Sequence, residues 1–142
     1  WAQAPTFDGV ANLTFGTLGA GNFRNGNKPL ATNMTTGSVN LINLESGIPY
    51  KVSVAQTSDW TTVGQSATIS KNDLSIQYGD NSLTNSVDFW SGNSTTSQKS
   101  ILFNHNATNA FSIWLNPNAV IDTILLGKQL QSELTWTLSE TP

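Results

Sequence analysis

Residues 133–142 read ELTWTLSETP, and this stretch decides the fold class. Leu134, Trp136 and Leu138 occupy every second position, and the residues between them are Thr. Because successive side chains of a β-strand point to opposite faces, this alternation predicts a strand with one buried face and one solvent face. Pro142 cannot donate to a β-ladder, so we expect the strand to end there. Trp136 is therefore a predicted core residue of the last strand.

Similar short runs recur along the chain, with Gly, Asn and Ser between them. The clearest covers residues 50–55, where Tyr50, Val52 and Val54 share one face. Several short strands separated by turn residues, without a capped amphipathic helix, predict an all-β fold: a single β-sandwich of Ig-like or Greek-key type with little or no helix. The other predicted strands are residues 13–18, 38–44, 67–69, 74–78, 87–90, 100–103, 111–115 and 120–126.

The length of 142 residues suits one domain with one sizeable core. We expect residues 1–5 to form a flexible leader and residues 6–142 to form the single β-domain. The polar stretch SGNSTTSQKS at residues 91–100 is typical of an exposed loop or hairpin tip.

The composition excludes several classes of partner. Only 11% of the residues are charged, the net charge is −3, and Ser, Thr and Asn make up about a third of the chain. Nucleic acid and anionic lipid are disfavoured because both require a basic patch, and the few lysines are scattered. There is no cysteine, and no apolar run approaches the roughly 20 residues of a membrane helix. This composition is common in secreted β-rich bacterial surface domains.

No catalytic or metal-binding pattern stands out. His105 is the only histidine and lies between two asparagines, which is typical of a turn. The nine acidic residues show no paired spacing, and no nucleophile elbow or phosphate loop is present. Asp73 and Asp80 bracket a region that could hold calcium, but turn capping is the favoured interpretation. We therefore expect no enzyme activity, no cofactor and no bound metal.

Five tryptophans offer the most distinctive candidate chemistry, because an exposed indole can stack on a sugar ring whereas a buried one only packs the core. Trp90 lies at a predicted strand end, where binding loops begin, and is a candidate exposed ring. Trp114 is out of phase with Phe111 and Ile113, so it either faces a second buried side of its sheet or is exposed and functional.

Three segments resemble the WxL domain family of Gram-positive cell-surface proteins. Residues 13–18 (LTFGTL) are similar to its N-terminal Phe-Gly element, and residues 50–56 (YKVSVAQ) to the strand with its first Trp-x-Leu motif. Residues 136–139 (WTLS), with Pro142, resemble the second motif and the chain end. The first motif departs from the family pattern, since Tyr50 and Val52 stand in place of Trp and Leu.

The resemblance implies a non-covalent cell-wall (peptidoglycan) binding and surface-display domain, secreted to the cell surface and active in adhesion. Its implied partners are peptidoglycan or another wall glycan, and companion surface proteins of the WxL gene clusters. Two alternatives remain open: a protein-interaction or adhesin module of a surface complex, and a carbohydrate-binding module that uses exposed Trp. The candidate binding residues are Tyr50, Val52, Trp90, Trp114, Trp136 and Leu138.

Overall fold

A computed structural model describes residues 3–19, 29–64, 68–106, 109–122, 125 and 127–141. Regular structure in these ranges is nearly all β-strand, which confirms the predicted all-β fold. The strands in chain order are β1 (Thr6–Val10), β2 (Ala31–Thr32), β3 (Gly37–Ile42), β4 (Pro49–Gln56), β5 (Trp60–Thr62), β6 (Thr68–Ile69), β7 (Leu74–Tyr78), β8 (Asn81–Ser82), β9 (Val87–Asn93), β10 (Lys99–Phe103), β11 (Phe111–Leu115), β12 (Leu130–Gln131) and β13 (Leu134–Glu140).

The described strands form antiparallel sheets that pack together in a sandwich-like arrangement. Their orders are β1-β3-β10, β12-β5-β6, β13-β4-β9 and β2-β11-β7-β8. We call the third of these the motif sheet, because it contains both segments of the family resemblance, and the fourth the facing sheet. Aromatic rings fill the space between these two sheets: Phe89 of β9 stacks on Phe111 of β11 with ring centroids 6.1 Å apart.

The central strand of the motif sheet is β4, and its alternation is strict. Tyr50, Val52, Val54 and Gln56 are buried, whereas the residues between them are partly exposed. The last strand, β13, pairs antiparallel with β4 over its whole length. Trp136 lies opposite Val54, so its side chain shares the inner face of the sheet, as its sequence pattern predicts.

Two predicted strands are wrong in part or entirely. Residues 13–18 contain no strand, and the first strand is instead β1, directly after the expected leader. No strand covers the described residues 120–122 and 125, whereas residues 123, 124 and 126 lie outside the described part of the chain. Trp1 and Ala2 of the expected leader also lie outside it, and the Gln3 side chain accepts a 3.2 Å hydrogen bond from Asn43.

The predicted loop at 91–100 is shorter than expected. Strand β9 runs to Asn93 and β10 begins at Lys99, which leaves residues 94–98 as the connection. Ser94 is buried, and its hydroxyl accepts a hydrogen bond from the Thr96 backbone. A hydroxyl that bonds to the backbone two residues further on forms a tight turn, so this polar sequence is partly structural.

A buried amide, Gln56 at the end of β4, ties several elements together. Its side-chain Oε1 accepts the Ile76 backbone N–H at 3.1 Å, and its Nε2 donates to the Ser132 hydroxyl at 2.9 Å. Its backbone N–H donates to the Leu83 carbonyl at 2.7 Å, and its carbonyl accepts from the Lys71 ammonium at 3.2 Å. Gln56 is 1% exposed, so its polar groups cannot bond to water. These four hydrogen bonds satisfy them instead.

We predict that Gln56→Ala lowers the free energy of unfolding by about 3 kcal/mol, because it leaves the Ile76 N–H buried without its acceptor and opens a small cavity. Urea unfolding measures the change. Gln77→Ala on the outer face of β7 is the matched control, with an expected loss below about 0.5 kcal/mol. Equal losses in the two variants would contradict a central role for Gln56.

Candidate functional site

Tyr50 and Val52, from the first motif segment, belong to the core. Their side chains are 1% and 0% exposed, because both occupy the inner face of the central strand of the motif sheet. The Tyr50 hydroxyl accepts the Glu45 backbone N–H at 2.9 Å, across the turn by which the chain leaves β3 and enters β4. This bond resembles a tyrosine corner, a fold-stabilising contact in β-sandwiches. These two side chains have no surface to offer a ligand.

Trp136 and Leu138, from the second motif segment, lie on the edge strand β13 and also point to the inner face of the motif sheet. Both are half-buried and pack against the core. The Trp136 indole meets Phe89 edge-on with centroids 5.1 Å apart, and Phe111 at 6.2 Å. The Trp-x-Leu motif therefore holds the motif sheet against the facing sheet.

Trp90 does not lie at a strand end. Val52 of β4 pairs with Trp90 and Ser53 pairs with Asp88, so β9 contains a bulge that turns both Phe89 and Trp90 inward. A Cβ on Gly92 would lie 3.2 Å from the Trp90 ring, so the ring covers this glycine. The expectation of an exposed loop residue is wrong at this position, because strand alternation is interrupted by the bulge.

Trp114 differs from the other candidates in lying on the outer face of a sheet. Its neighbours in β11, Phe111 and Ile113, are buried, and Trp114 is not among the side chains that pack against the core. Its Nε1 donates to the hydroxyl of Ser112 at 2.8 Å. That bond holds the ring on the outer face of the sheet, where Trp114 is partly exposed rather than fully open to solvent. Neither sequence alternative, a second buried side or an exposed ring, describes it completely.

The surroundings of Trp114 are polar and rich in hydrogen-bonding groups. Ser75 of β7 lies directly opposite Trp114, and Gln77 lies opposite Ser112. On the other side of β11, Thr32 pairs with Ser112. We call this set the Trp114 platform; its residues are Thr32, Ser75, Gln77, Ser112 and Trp114. An apolar ring framed by hydroxyl and amide groups combines the two contacts that a sugar needs, one for its C–H face and one for its hydroxyls.

The remaining tryptophan of the described residues, Trp60, is part of the core. Its indole N–H donates to the Leu74 carbonyl at 2.6 Å, and the residue is 6% exposed. Trp60 therefore does not replace the Trp that the family pattern would place at residue 50.

A cleft of about 1000 Å³ lies between residues 10–18 and residues 127–136. Leu13 and Phe15 line one wall, Leu134 and Trp136 line the other, and Ile76 and Ile113 lie at the floor. This cleft could not be predicted from the sequence, because residues 13–18 resemble a strand that would have paired with a neighbour.

The first wall of this cleft is anchored by Asn33, which is buried. Its Oδ1 accepts the Thr14 backbone N–H at 2.8 Å, and the next residue, Met34, donates its N–H to the Thr14 carbonyl at 2.7 Å. The Thr35 hydroxyl donates to the Asn12 carbonyl at 3.3 Å. Side-chain bonds thus replace the strand ladder that the sequence predicted for this segment.

Charged groups contribute little to either surface. One ion pair, between Lys51 and Asp88 at 3.7 Å, lies exposed on the outer face of the motif sheet, where such pairs are weak. Across the described ranges, no three His, Asp or Glu side chains gather as a metal site would require. Nor does the described part of the chain contain a helix long and apolar enough to cross a membrane.

Comparison with known proteins returned no match: no protein-family model fits the chain, and no curated protein or solved structure is significantly similar to it.

Trp136→Ala should destabilise the domain by about 3 kcal/mol, because it removes a large ring that packs on Phe89 and Phe111. Thermal or urea unfolding measures the loss. Thr137→Ala, on the outer face of the same strand, is the control and should cost less than about 1 kcal/mol. A Trp136→Ala variant that unfolds like the wild type would show that the ring contributes no core packing.

Alkaline pH should destabilise the domain through Tyr78. Burial raises the pKa of its phenol above the usual value of 10.0, since the ring packs between Phe89 and Phe111. Above pH 10 the unfolded chain ionises first, so this contribution to stability is complete below pH 10 and is lost as the pH rises toward the folded pKa.

Urea unfolding of the wild type and Tyr78→Phe between pH 8 and pH 11 tests this prediction. Stability of the wild type should fall more steeply above about pH 10 than that of the variant, because Phe cannot ionise. Parallel curves would contradict a buried Tyr78 phenol.

Proposed function

We propose that this chain is a non-covalent wall-binding domain of a Gram-positive cell surface, and that the Trp114 platform is its glycan contact. The observation that carries the proposal is the Trp114 indole, which lies on an outer sheet face and is held in place by the Ser112 hydroxyl. A ring fixed before binding loses little conformational entropy when a sugar stacks on it.

The platform matches the chemistry of a polysaccharide strand. The C–H face of a pyranose ring is apolar and stacks on an indole, whereas its hydroxyls need donors and acceptors. Gln77 supplies both through its amide, and Thr32 and Ser75 add hydroxyls on the strands that flank Trp114. The low charge of the chain suits a ligand bound by stacking and hydrogen bonds rather than by ion pairs.

The arrangement of the motif sheet supports the family resemblance. The two motif segments are far apart in sequence but lie on adjacent paired strands, with Leu138 opposite Val52 and Glu140 opposite Tyr50. Aromatic-x-aliphatic pairs on neighbouring strands form one inner-face unit, so the substitution of Tyr-x-Val for Trp-x-Leu keeps this packing. On this basis the two motif segments support the resemblance to the WxL family. We propose the facing sheet, rather than the motif sheet, as the contact with glycan.

The Trp114→Ala variant tests the assignment. We expect wild-type protein to co-sediment with Gram-positive wall sacculi, and Trp114→Ala to bind at least about tenfold more weakly, because loss of one stacked ring costs on the order of 1.4 kcal/mol. Its unfolding free energy should change by less than about 1 kcal/mol, since the ring lies outside the core.

Leu102→Ala is the matched control, because Leu102 is an exposed apolar residue of a strand in a different sheet. It should bind like the wild type. If Trp114→Ala pellets with sacculi as well as Leu102→Ala does, the platform is not the contact. If wild-type protein stays in the supernatant while a known wall binder pellets, the wall-binding function itself is refuted.

An interaction with a surface protein is the second candidate function. It is favoured by one observation that the glycan proposal does not use: no other described strand pairs with the outer edge of β13.

A further inference from the structure

We propose that the outer edge of β13 is a strand-addition site. Its occupant would be an extended segment of a partner protein with alternating apolar and hydroxyl side chains and a basic residue near each end. The site is separate from the Trp114 platform, which lies on the facing sheet, so the two proposals fail independently.

The direction of the backbone groups in β13 follows from its pairing with β4. The Thr57 N–H donates to the Glu133 carbonyl at 2.9 Å, and the Thr141 N–H donates to the Pro49 carbonyl at 2.9 Å. Both bonds involve odd-numbered residues near the ends of β13, and the register between them is unbroken. Because hydrogen-bonded and non-hydrogen-bonded pairs alternate, the even-numbered residues direct their N–H and C=O groups away from β4. These residues are Leu134, Trp136, Leu138 and Glu140.

Nothing in the described residues pairs with this edge, and β13 lacks the features that usually block one. The other edge strand of the motif sheet, β9, is interrupted by its bulge, which twists it away from a new partner. The edge strands of the facing sheet, β2 and β8, have two residues each. By contrast, β13 has seven residues, no bulge, and no Pro or Lys from Leu134 to Glu140. It is therefore the longest edge strand without a bulge in the described fold, and the best template there for strand addition.

The cleft beside β13 gives an added strand somewhere to place its side chains. Leu134 and Trp136 form one wall of the cleft, and residues 10–18 form the other. Side chains of an added strand that lie opposite Leu134 and Trp136 would point to the same face and enter the cleft. The partly exposed side chains of Leu13, Phe15, Leu134 and Trp136 on its walls suit contact with aliphatic side chains. Every second residue of the partner segment should therefore be apolar.

The charged residues near β13 indicate which residue types the partner segment should have at its two ends. Glu133 and Glu140 flank the edge and are exposed, and no basic residue occurs between positions 132 and 141. The opposite wall, residues 10–18, contains no charged residue. Glu140 shares the face of Leu134 and Trp136, whereas Glu133 points to the other face. An antiparallel partner strand should therefore have two basic residues seven positions apart, one opposite each carboxylate.

A second copy of this chain is a poorer occupant, because it offers no basic residue at either end of the added strand. In a two-fold antiparallel pairing of β13 with itself, in the registers centred on Trp136 or Thr137, the residues opposite Glu133 and Glu140 are Ser, Thr or Leu. Both carboxylates would then lack an ion-pair partner, which a segment with basic ends supplies.

The test uses two eight-residue synthetic peptides, KTVTVTVK and ETVTVTVE, with the isotopically labelled protein. In an antiparallel pairing their valines lie opposite Leu134, Trp136 and Leu138, and their end residues lie opposite Glu133 and Glu140. We expect the Lys-ended peptide to bind and to slow hydrogen exchange at the amides of Trp136 and Leu138, because added-strand bonds protect them. The Glu-ended peptide should bind about tenfold more weakly or less, since two exposed ion pairs become two repulsions. A Lys-ended peptide with N-methylated valines should lose the protection, because it lacks the donors on one edge.

Charge reversal provides the matched variants. Glu133→Lys/Glu140→Lys should invert the preference and favour the Glu-ended peptide. The control double variant, Asp8→Lys/Asp80→Lys, changes the net charge equally at exposed positions of other sheets and should keep the wild-type preference. Trp114→Ala should also bind the Lys-ended peptide normally, which separates this site from the glycan platform.

Three results would overturn the proposal. The first is unchanged exchange at Trp136 and Leu138 at saturating Lys-ended peptide. The second is equal binding of the two peptides to the wild type. The third is protection of the same amides without peptide that increases with protein concentration, which would assign the edge to a second copy of this chain.

Discussion

The buried Gln56 amide is the interaction on which the arrangement of the two main sheets depends. Strand β4 belongs to the motif sheet, yet the Gln56 side chain accepts a hydrogen bond from Ile76 in the facing sheet and donates one to Ser132, just before β13. Leu83 adds a second bridge, because its carbonyl accepts the Gln56 N–H and its own N–H donates to the Ile76 carbonyl. Hydrophobic contact alone does not fix the position of one sheet against the other, because it is not directional. These hydrogen bonds are directional and allow only one relative position of the two sheets.

Alternation of apolar and polar residues predicted several strands correctly. It identified β4, β7, β11 and β13, and it placed Trp136 on the inner face, because a period of two is read directly from residue types. The same alternation indicates that Gln56 is buried, because it occupies the next position in the series of buried residues Tyr50, Val52 and Val54. A polar residue in a buried register is a sign of a satisfied internal hydrogen-bond network. Burial of Gln56 could thus have been predicted, although its partners, distant in sequence, could not.

The failures have local physical causes. Residues 13–18 alternate like a strand, but their backbone bonds go to the Asn33 side chain and to Met34, and an isolated sequence does not reveal which partner a backbone group will find. At Trp90, one extra residue in β9 reverses the expected face, and bulges carry no dependable residue signature. For Trp114 the sequence left both faces open, and the choice depended on what covers β11.

The tryptophans of the two main sheets lie in different environments. In the motif sheet the rings of Trp90 and Trp136 face inward and pack against the core. In the facing sheet Trp114 faces outward and is not among the side chains that pack against the core. A change at Trp114 should therefore disturb the packing between the sheets less than a change at Trp90 or Trp136.

The backbone bridge at Leu83 also governs how the domain can open. Since one residue is bonded to Gln56 on one side and to Ile76 on the other, neither sheet can separate without breaking bonds of the other. The motif sheet and the facing sheet therefore form one cooperative unit, and local fluctuations should be confined to elements outside it, such as the wall formed by residues 10–18. A domain exposed to shear at a cell surface would thus yield as a whole rather than by the sliding of one sheet over the other.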